Sequence, residues 1–294
     1  MLVLDGEQAV NVLAFTPDGT RLIGLRWEKP IDVWALPDGK RIPLSEPNEG
    51  SYEELAVHPS GRCVFLAGEE PLRVVRLDNG AVRTFSKTHV VGSVIVSPDG
   101  KWVIAGPVEG RVRKLLGFRC DAKGDIPDTR TWEAKPHVFE ETLGGFVGAG
   151  DQFVTIDHQT LVIRDAATGE VRSTVPYTSH YIHCQAISPD GSRLAVMGYD
   201  KLYLWDTAKW GKPTRVPGFV LPISTMAFHP TRPILAVIQA GQTLVKFLDA
   251  NTGKPVSKFQ WKLGEMNSVA FSPDGTLAAA GSASGKTVVW DVDE

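Results

Sequence analysis

Short apolar runs recur along the whole chain, and none of them is long. Runs such as RLIGL (21–25) and RLAVM (193–197) are bounded by Gly, Asp, Asn and Pro. No apolar period of 3.6 residues persists for three helical turns. The pattern therefore predicts short strands joined by tight turns, which favours antiparallel hairpins.

The runs are also periodic. The phrase AFTPDG at 14–19 returns as AVHPSG (56–61), IVSPDG (95–100), AISPDG (186–191), AFHPTR (227–232) and AFSPDG (270–275). Its prolines stand at 17, 59, 98, 189, 230 and 273, with gaps of 42, 39, 91, 41 and 43. The gap of 91 is two periods, and GFVGAGDQF (145–153) supplies the missing copy, keeping the turn without the proline. A second landmark follows each copy by about seventeen residues: DVW (32–34), VVR (74–76), KLL (114–116), VIR (162–164), LYLWD (202–206), KFLD (246–249) and TVVWD (287–291). Second turns such as LPDGK, LDNGA, DAATGE and DANTGK come after most of them. Each unit reads as four strands, and seven units of about 42 residues account for all 294.

On this repeat the chain resembles the WD40-type β-propellers over essentially its full length. The resemblance implies an all-β fold: a seven-bladed propeller of four-stranded antiparallel blades, forming one domain over residues 1–294. The WD dipeptide stands at Trp205-Asp206 and Trp290-Asp291, and Trp34 lacks its Asp. The family's Gly-His dipeptide before the first strand is missing, as are most Asp residues before the third. The blades must then lean on apolar contacts between neighbouring sheets rather than on the family's His–Asp hydrogen bonds. The last unit stops at DVDE, after its third strand. Residues 1–4, with Leu2-Val3-Leu4, are expected to serve as its outer strand, so that the two termini seal the ring and cover an edge.

Against this frame the candidate chemistry thins out. AGSASGKT (280–287) approaches the phosphate-loop pattern, but such a loop needs a helix starting at its Lys-Thr. Here residues 281–286 are expected to be the turn between the second and third strands of the last blade. His58 and His229 hold the same slot of the repeat and read as structural. His180 and His183, in YTSHYIHC with Tyr177, Tyr181 and Cys184, are an odd number apart and so cannot share a strand face. They read as a partner-contacting loop edge, not a metal site. The acidic pairs Glu53-Glu54, Glu69-Glu70 and Glu140-Glu141 point opposite ways in a strand or are solvated in a loop, and no G-x-S-x-G elbow occurs. Seven surplus residues in the third and fourth units fall in GFRCDAKGDIPDTRTW (117–132), expected as an enlarged loop on the face of the SPDG turns.

Composition adds limits. A net charge of −3 and one isolated basic run, RVRKLLGFR (111–119), argue against nucleic acid, and no apolar stretch is long enough to span a membrane. The N-terminus shows no signal peptide. Cys63, Cys120 and Cys184 stand far apart, which makes neither a disulfide framework nor a zinc site and suits a reducing compartment. The expectation is a cytoplasmic monomer without catalytic residues, cofactor or metal, acting as a scaffold or adaptor for a protein or peptide partner. The alternative is a metal-dependent or small-molecule hydrolase at the mouth of the central channel. Partner contact is expected at Arg26, Trp27, Lys29, His180, Tyr181, Trp261 and Lys262, because RWEKP (26–30), QWKLGE (260–265) and Lys286 should meet on the face opposite the SPDG turns.

Overall fold

A computed structural model describes residues 1–44, 50–85, 91–106, 114–126, 130–136, 141–157, 159–177, 179, 181–219 and 222–294. The described strands form seven small antiparallel sheets. Blade 1 holds β2 (Val12–Phe15), β3 (Arg21–Leu25) and β4 (Asp32–Ala35). Its fourth position is marked by a bridge between Trp34 and Arg41. Blade 2 holds β5 (Tyr52–Val57), β6 (Cys63–Gly68), β7 (Arg73–Arg76) and β8 (Val82–Thr84). Blade 3 holds β9 (Ser93–Val96), β10 (Trp102–Gly106), β11 (Leu115–Arg119) and β12 (Trp132–Ala134). Blade 4 holds β13 (Thr142–Val147), β14 (Gln152–Ile156), β15 (Thr160–Asp165) and β16 (Val171–Pro176). Blade 5 holds β17 (Cys184–Ile187), β18 (Arg193–Met197), β19 (Lys201–Asp206) and β20 (Thr214–Pro217). Blade 6 holds β21 (Ile223–Phe228), β22 (Ile234–Gln239), β23 (Leu244–Asp249) and β24 (Pro255–Gln260). Blade 7 holds β25 (Met266–Phe271), β26 (Leu277–Ser282) and β27 (Thr287–Asp291).

The fourth strand of blade 7 comes from the other end of the chain. β1 (Leu2–Leu4) pairs antiparallel with β27, with Leu2 opposite Val289, Val3 opposite Val288 and Leu4 opposite Thr287. The innermost strands β2, β5, β9, β13, β17, β21 and β25 touch in a closed circuit around the axis. The fold is a seven-bladed β-propeller whose ring is sealed by both termini.

Its core is divided accordingly. Seven clusters of buried side chains lie between neighbouring sheets, one for each pair of blades. Ile23 and Val33 of blade 1 meet Val64 and Val75 of blade 2, for example. The second and third strands of each blade bury both faces, which is why their middle residues read as continuous apolar runs rather than as alternation.

The repeated SPDG phrase is explained by its turn. The hydroxyls of Thr16, Ser97, Ser188 and Ser272 each donate to the Asp two residues on, at 2.5–2.7 Å. The same Asp accepts from the backbone N–H two residues further. These bonds help hold Asp18, Asp190 and Asp274 below the ordinary carboxylate range, Thr16 being the largest influence on Asp18. In blade 4, residues 148–151 make the turn without the proline. His58 and His229 tie these turns together across blades. His58 Nε2 donates to Gly100 O at 2.9 Å and His229 Nε2 to Gly275 O at 3.0 Å. Gly275 has φ +76°, and a Cβ there would meet the His229 ring at 2.3 Å, so glycine is required twice over.

Three details of the sequence reading need correction. The turn in AGSASGKT is 283–286, because Gly281 and Ser282 still belong to β26; a strand follows it, and no helix. The landmark KLL is shifted, since Lys114 precedes β11 and 117–119 belong to that strand. By the register against the second strand of each blade, the tryptophan slot is filled by Trp34, Val75, Phe118, Arg164, Trp205, Leu248 and Trp290.

The surplus in blade 3 lies between β11 and β12, and it folds back over blade 2. Arg76 of blade 2 reaches Asp125 at 3.1 Å, Arg83 donates to Ile126 O at 2.9 Å, and Cys63 Sγ donates to Gly124 O at 3.6 Å. Cys120 and Ile126 are buried in the cluster between the two blades. The extra residues are a staple between neighbours.

Candidate functional site

In each blade the connections between second and third strands share one face with the connections that lead to the next blade. Tyr199 lies in the turn between β18 and β19, Trp27 in the connection between β3 and β4, and Tyr181 in the segment leading into blade 5. These are the three exposed aromatic side chains among the described residues, at 69%, 41% and 53% exposure. The other large exposed apolar residues, Met1, Val3, Val171 and Val256, lie on or beside outermost strands. Among the described residues, neither the SPDG turns nor the loops beside them expose one. Tyr181 is supported by the ring of His183, edge-on at 4.8 Å.

The connections around blades 7 and 1 do form one surface. Ser284 Oγ donates to Leu263 O at 2.9 Å, and Ala283 N donates to Glu265 O at 2.8 Å. Gly285 lies against the 5–9 segment, where a Cβ would meet Gly6 O at 2.5 Å. Gly6 in turn lies over the Arg26 guanidinium. Lys29, Lys262 and Lys286 are exposed there.

Arg26 is not part of the exposed surface, which corrects the expectation for it. Its guanidinium is buried beside Asp32 at 2.5 Å, and Arg41 pairs with the same carboxylate from outside. Burial pushes the Asp32 carboxyl up, and the two guanidiniums oppose that shift. Sequence reasoning missed this because Asp32, the group that draws Arg26 inward, was read only as part of a strand landmark. Trp261 is half-buried. Its ring packs against Trp290 at 4.5 Å and stacks on Phe259 at 6.3 Å, and its remaining edge lines a shallow pocket of about 470 Å³ with Thr243, Gln260, Lys262 and Gly264. His180 lies outside the described residues.

At the channel mouth on this face, the polar residues Asn11, Glu53, Thr142, His183, Ser224 and Asn267 stand at or next to the start of six of the seven inner strands. Bulges at Glu53, Ser224 and Asn267 fall at the same point of their strands, where bulges re-aim side chains. This ring contains one carboxylate and one imidazole. Among the described residues no group of three or more His, Cys, Asp or Glu could hold a metal ion. Burial pushes the thiols of Cys63, Cys120 and Cys184 up to about 12, so none supplies a thiolate at neutral pH. Glu54, beside Glu53, is pushed up to about 7 by burial; the Val94 N–H at 3.3 Å opposes the shift, and the charge of Glu53 adds to it. Among the described residues no helix is long and apolar enough to cross a membrane.

A family model described as WD domain, G-beta repeat matches residues 253–291, which cover β24 and blade 7 up to the end of β27. Eukaryotic translation initiation factor 3 subunit I of Candida albicans is 22% identical over 98% of this chain and 91% of its own length. Serine-threonine kinase receptor-associated protein of Gallus gallus is 26% identical over 70% of this chain and 56% of its own. WD repeat-containing protein 1-A of Xenopus laevis is 22% identical over 84% of this chain, which spans only 34% of that relative.

Proposed function

We propose that this chain is a WD40-repeat β-propeller that works as a protein-interaction scaffold. Its partner is taken on the face that carries Trp27, Tyr181 and Tyr199. The observation behind this reading is the confinement, among the described residues, of the exposed aromatic side chains to that face. Trp and Tyr dominate interface energetics because each buries a large rigid area and keeps a hydrogen-bonding edge. The opposite face uses its Asp side chains inside its own turns. Two relatives carry names that describe attachment to other proteins, one a subunit and the other receptor-associated. On this reading Lys29, Trp261 and Lys262 flank the contact, and the polar ring at the channel mouth lies at its centre. The protein itself is then a non-catalytic cytoplasmic monomer.

The test is a double variant, Trp27→Ala with Tyr199→Ala, against a partner co-purified from the native host and titrated by calorimetry. Affinity should fall by about 2 kcal/mol or more. Stability should change by about 1 kcal/mol or less, since Tyr199 is 69% and Trp27 41% exposed. A control on the opposite face, Lys123→Ala, should bind normally. Loss of binding in the control alone would move the contact to the SPDG face.

A further inference from the structure

Residues 207–264 hold eight of the 31 Lys and Arg of the chain but only one of its 34 Asp and Glu, Asp249. That stretch carries a net charge of +7, against −10 for the remainder. It comprises the outer part of blade 5 and all of blade 6. Three of its cations are occupied. Lys209 lies 3.3 Å from Asp206, Arg232 pairs with Asp293 at 2.6 Å, and Lys246 donates to Gln239 at 2.6 Å. Lys212, Arg215, Lys254, Lys258 and Lys262 are exposed and have no ion-pair partner among the described residues. Asp249 offers them little, because its carboxylate accepts from Asn251 N, Thr252 N and Thr252 Oγ1 within its own turn.

The topology puts these five on one stretch of rim. β20 and β24 are the outermost strands of adjacent blades. They approach where Val216 sits over Gly253, so closely that a Cβ on the glycine would meet it at 2.1 Å. Lys212 and Arg215 lie before and in β20, Lys254 and Lys258 before and in β24, and Lys262 just beyond it. Lys258 stands directly opposite Lys246 in the β23–β24 ladder. Like charges in that relation destabilise a sheet. Exposed Val256 lies among the lysines, and the Trp261 pocket borders Lys262.

We propose that this rim of blades 5 and 6 is a second docking surface, occupied by an acidic segment of a protein partner. Charge complementarity selects an anion, and complementary potentials speed encounter and fix register. A short acidic segment fits within the sector, whereas a long polyanion would run onto a remainder that is net −10 and be repelled. Val256 and the open edge of Trp261 give apolar contacts that a protein segment can fill and a phosphate backbone cannot. The rim meets the border of the aromatic face at Trp261 and Lys262, while Lys212, Arg215, Lys254 and Lys258 lie on or just before the outer strands β20 and β24, so variants at Lys254 and Lys258 and variants at Trp27 and Tyr199 test the two surfaces apart.

The experiment uses the full chain and a fluorescein-labelled Glu-rich peptide, read by fluorescence anisotropy across a salt series. The Gln counterpart of the peptide and a single-stranded oligonucleotide of matched charge run beside it. Wild type should bind the Glu peptide in a salt-sensitive way and more tightly than either comparator. The triple variant Lys254→Glu, Lys258→Glu, Lys262→Glu should bind it roughly tenfold or more weakly. A Lys→Gln triple at the same positions should fall between the two, and it carries the test if the Glu triple does not fold. Lys101→Glu with Lys123→Glu, on the SPDG face, should bind like wild type. Unchanged peptide binding in both triples, with or without aggregation through β24, would reduce the lysines to guards of an exposed edge. Tighter binding of the oligonucleotide than of the peptide would also overturn the proposal.

Discussion

In blade 4 the slot near the end of the third strand holds Arg164; in blade 7 it holds Trp290. Arg164 is fully buried and fully engaged. Its Nε and Nη2 donate to Glu141 at 2.9 and 3.1 Å, and its Nη1 donates to Gly169 O at 2.9 Å. Thr155 of β14 donates to the same carboxylate. Trp290 is equally buried but makes its contacts through area, against Trp261 and Phe259, and its Nε1 has no hydrogen-bond partner among the described residues. The same holds for Nε1 of Trp205 in blade 5. One fold position is thus filled by a charged network in one blade and by aromatic packing in another. An aromatic slot degrades gradually as area is removed. A charged slot fails as a unit, because losing one member strands the other in a medium that solvates it poorly.

The comparison predicts the largest loss at Arg164. Arg164→Leu leaves the Glu141 carboxylate buried without its cation and should cost about 3–5 kcal/mol in denaturant titration. Adding Glu141→Gln should return a large part of that; no recovery would mean that the Arg side chain acts by packing alone.

Glu54 sharpens the contrast from the other side, as a half-buried carboxylate with a backbone N–H and, among the described residues, no paired cation. Its counterparts in other blades are neutral, such as Cys184, whose Sγ donates to Ile223 O, and Ser268, whose Oγ donates to Val10 O. With a folded value of about 7 against an ordinary 4.5, the folded chain binds more protons than the unfolded chain between those limits. Stability should therefore fall as pH rises through that window, by up to about 3 kcal/mol from this group. Glu54→Gln should flatten that part of the profile, and an identical profile in the variant would exclude Glu54 as its source.

The smallest effect belongs to the aromatic slot. Trp290→Phe removes part of one ring and no hydrogen bond, and should cost about 1–2 kcal/mol by thermal melting. A loss as large as that of Arg164→Leu would mean that the indole N–H has a polar role after all.

Much of this fold was legible because its turns are chemical. A hydroxyl, an Asp and a Gly at fixed spacing build the same hairpin wherever they recur, and GFVGAGDQF could be recognised as a copy because its glycines keep the turn conformation. The outer strand from the N-terminus followed from an incomplete last unit. The candidate face was legible only in part. Trp27 and Tyr181 carry their exposure in loop sequences, whereas the fate of Arg26 depends on Asp32 across a hairpin. Tyr199 was passed over because a lone aromatic in a short turn has no pattern to announce it. The staple of residues 120–126 onto blade 2 depends on contacts with Arg76 and Arg83, more than forty residues away, which no local spacing encodes. The charge imbalance of residues 207–264 could have been counted from the sequence alone, but the small net charge of the whole chain conceals it.

The pairing of β1 with β27 also sets a clock on the birth of the molecule. Leu4 leaves the ribosome long before its partner Thr287 exists. At roughly 5–20 residues per second the interval is on the order of 15–60 s. Throughout that time the first strand has no native place, while the blades behind it complete themselves one after another. Each finished blade presents an outer edge to which Leu2-Val3-Leu4 can pair wrongly. The charged residues on those edges, Arg83, Arg172, Arg215 and Lys258 among them, keep them unattractive to a stray apolar strand until the proper one has been made.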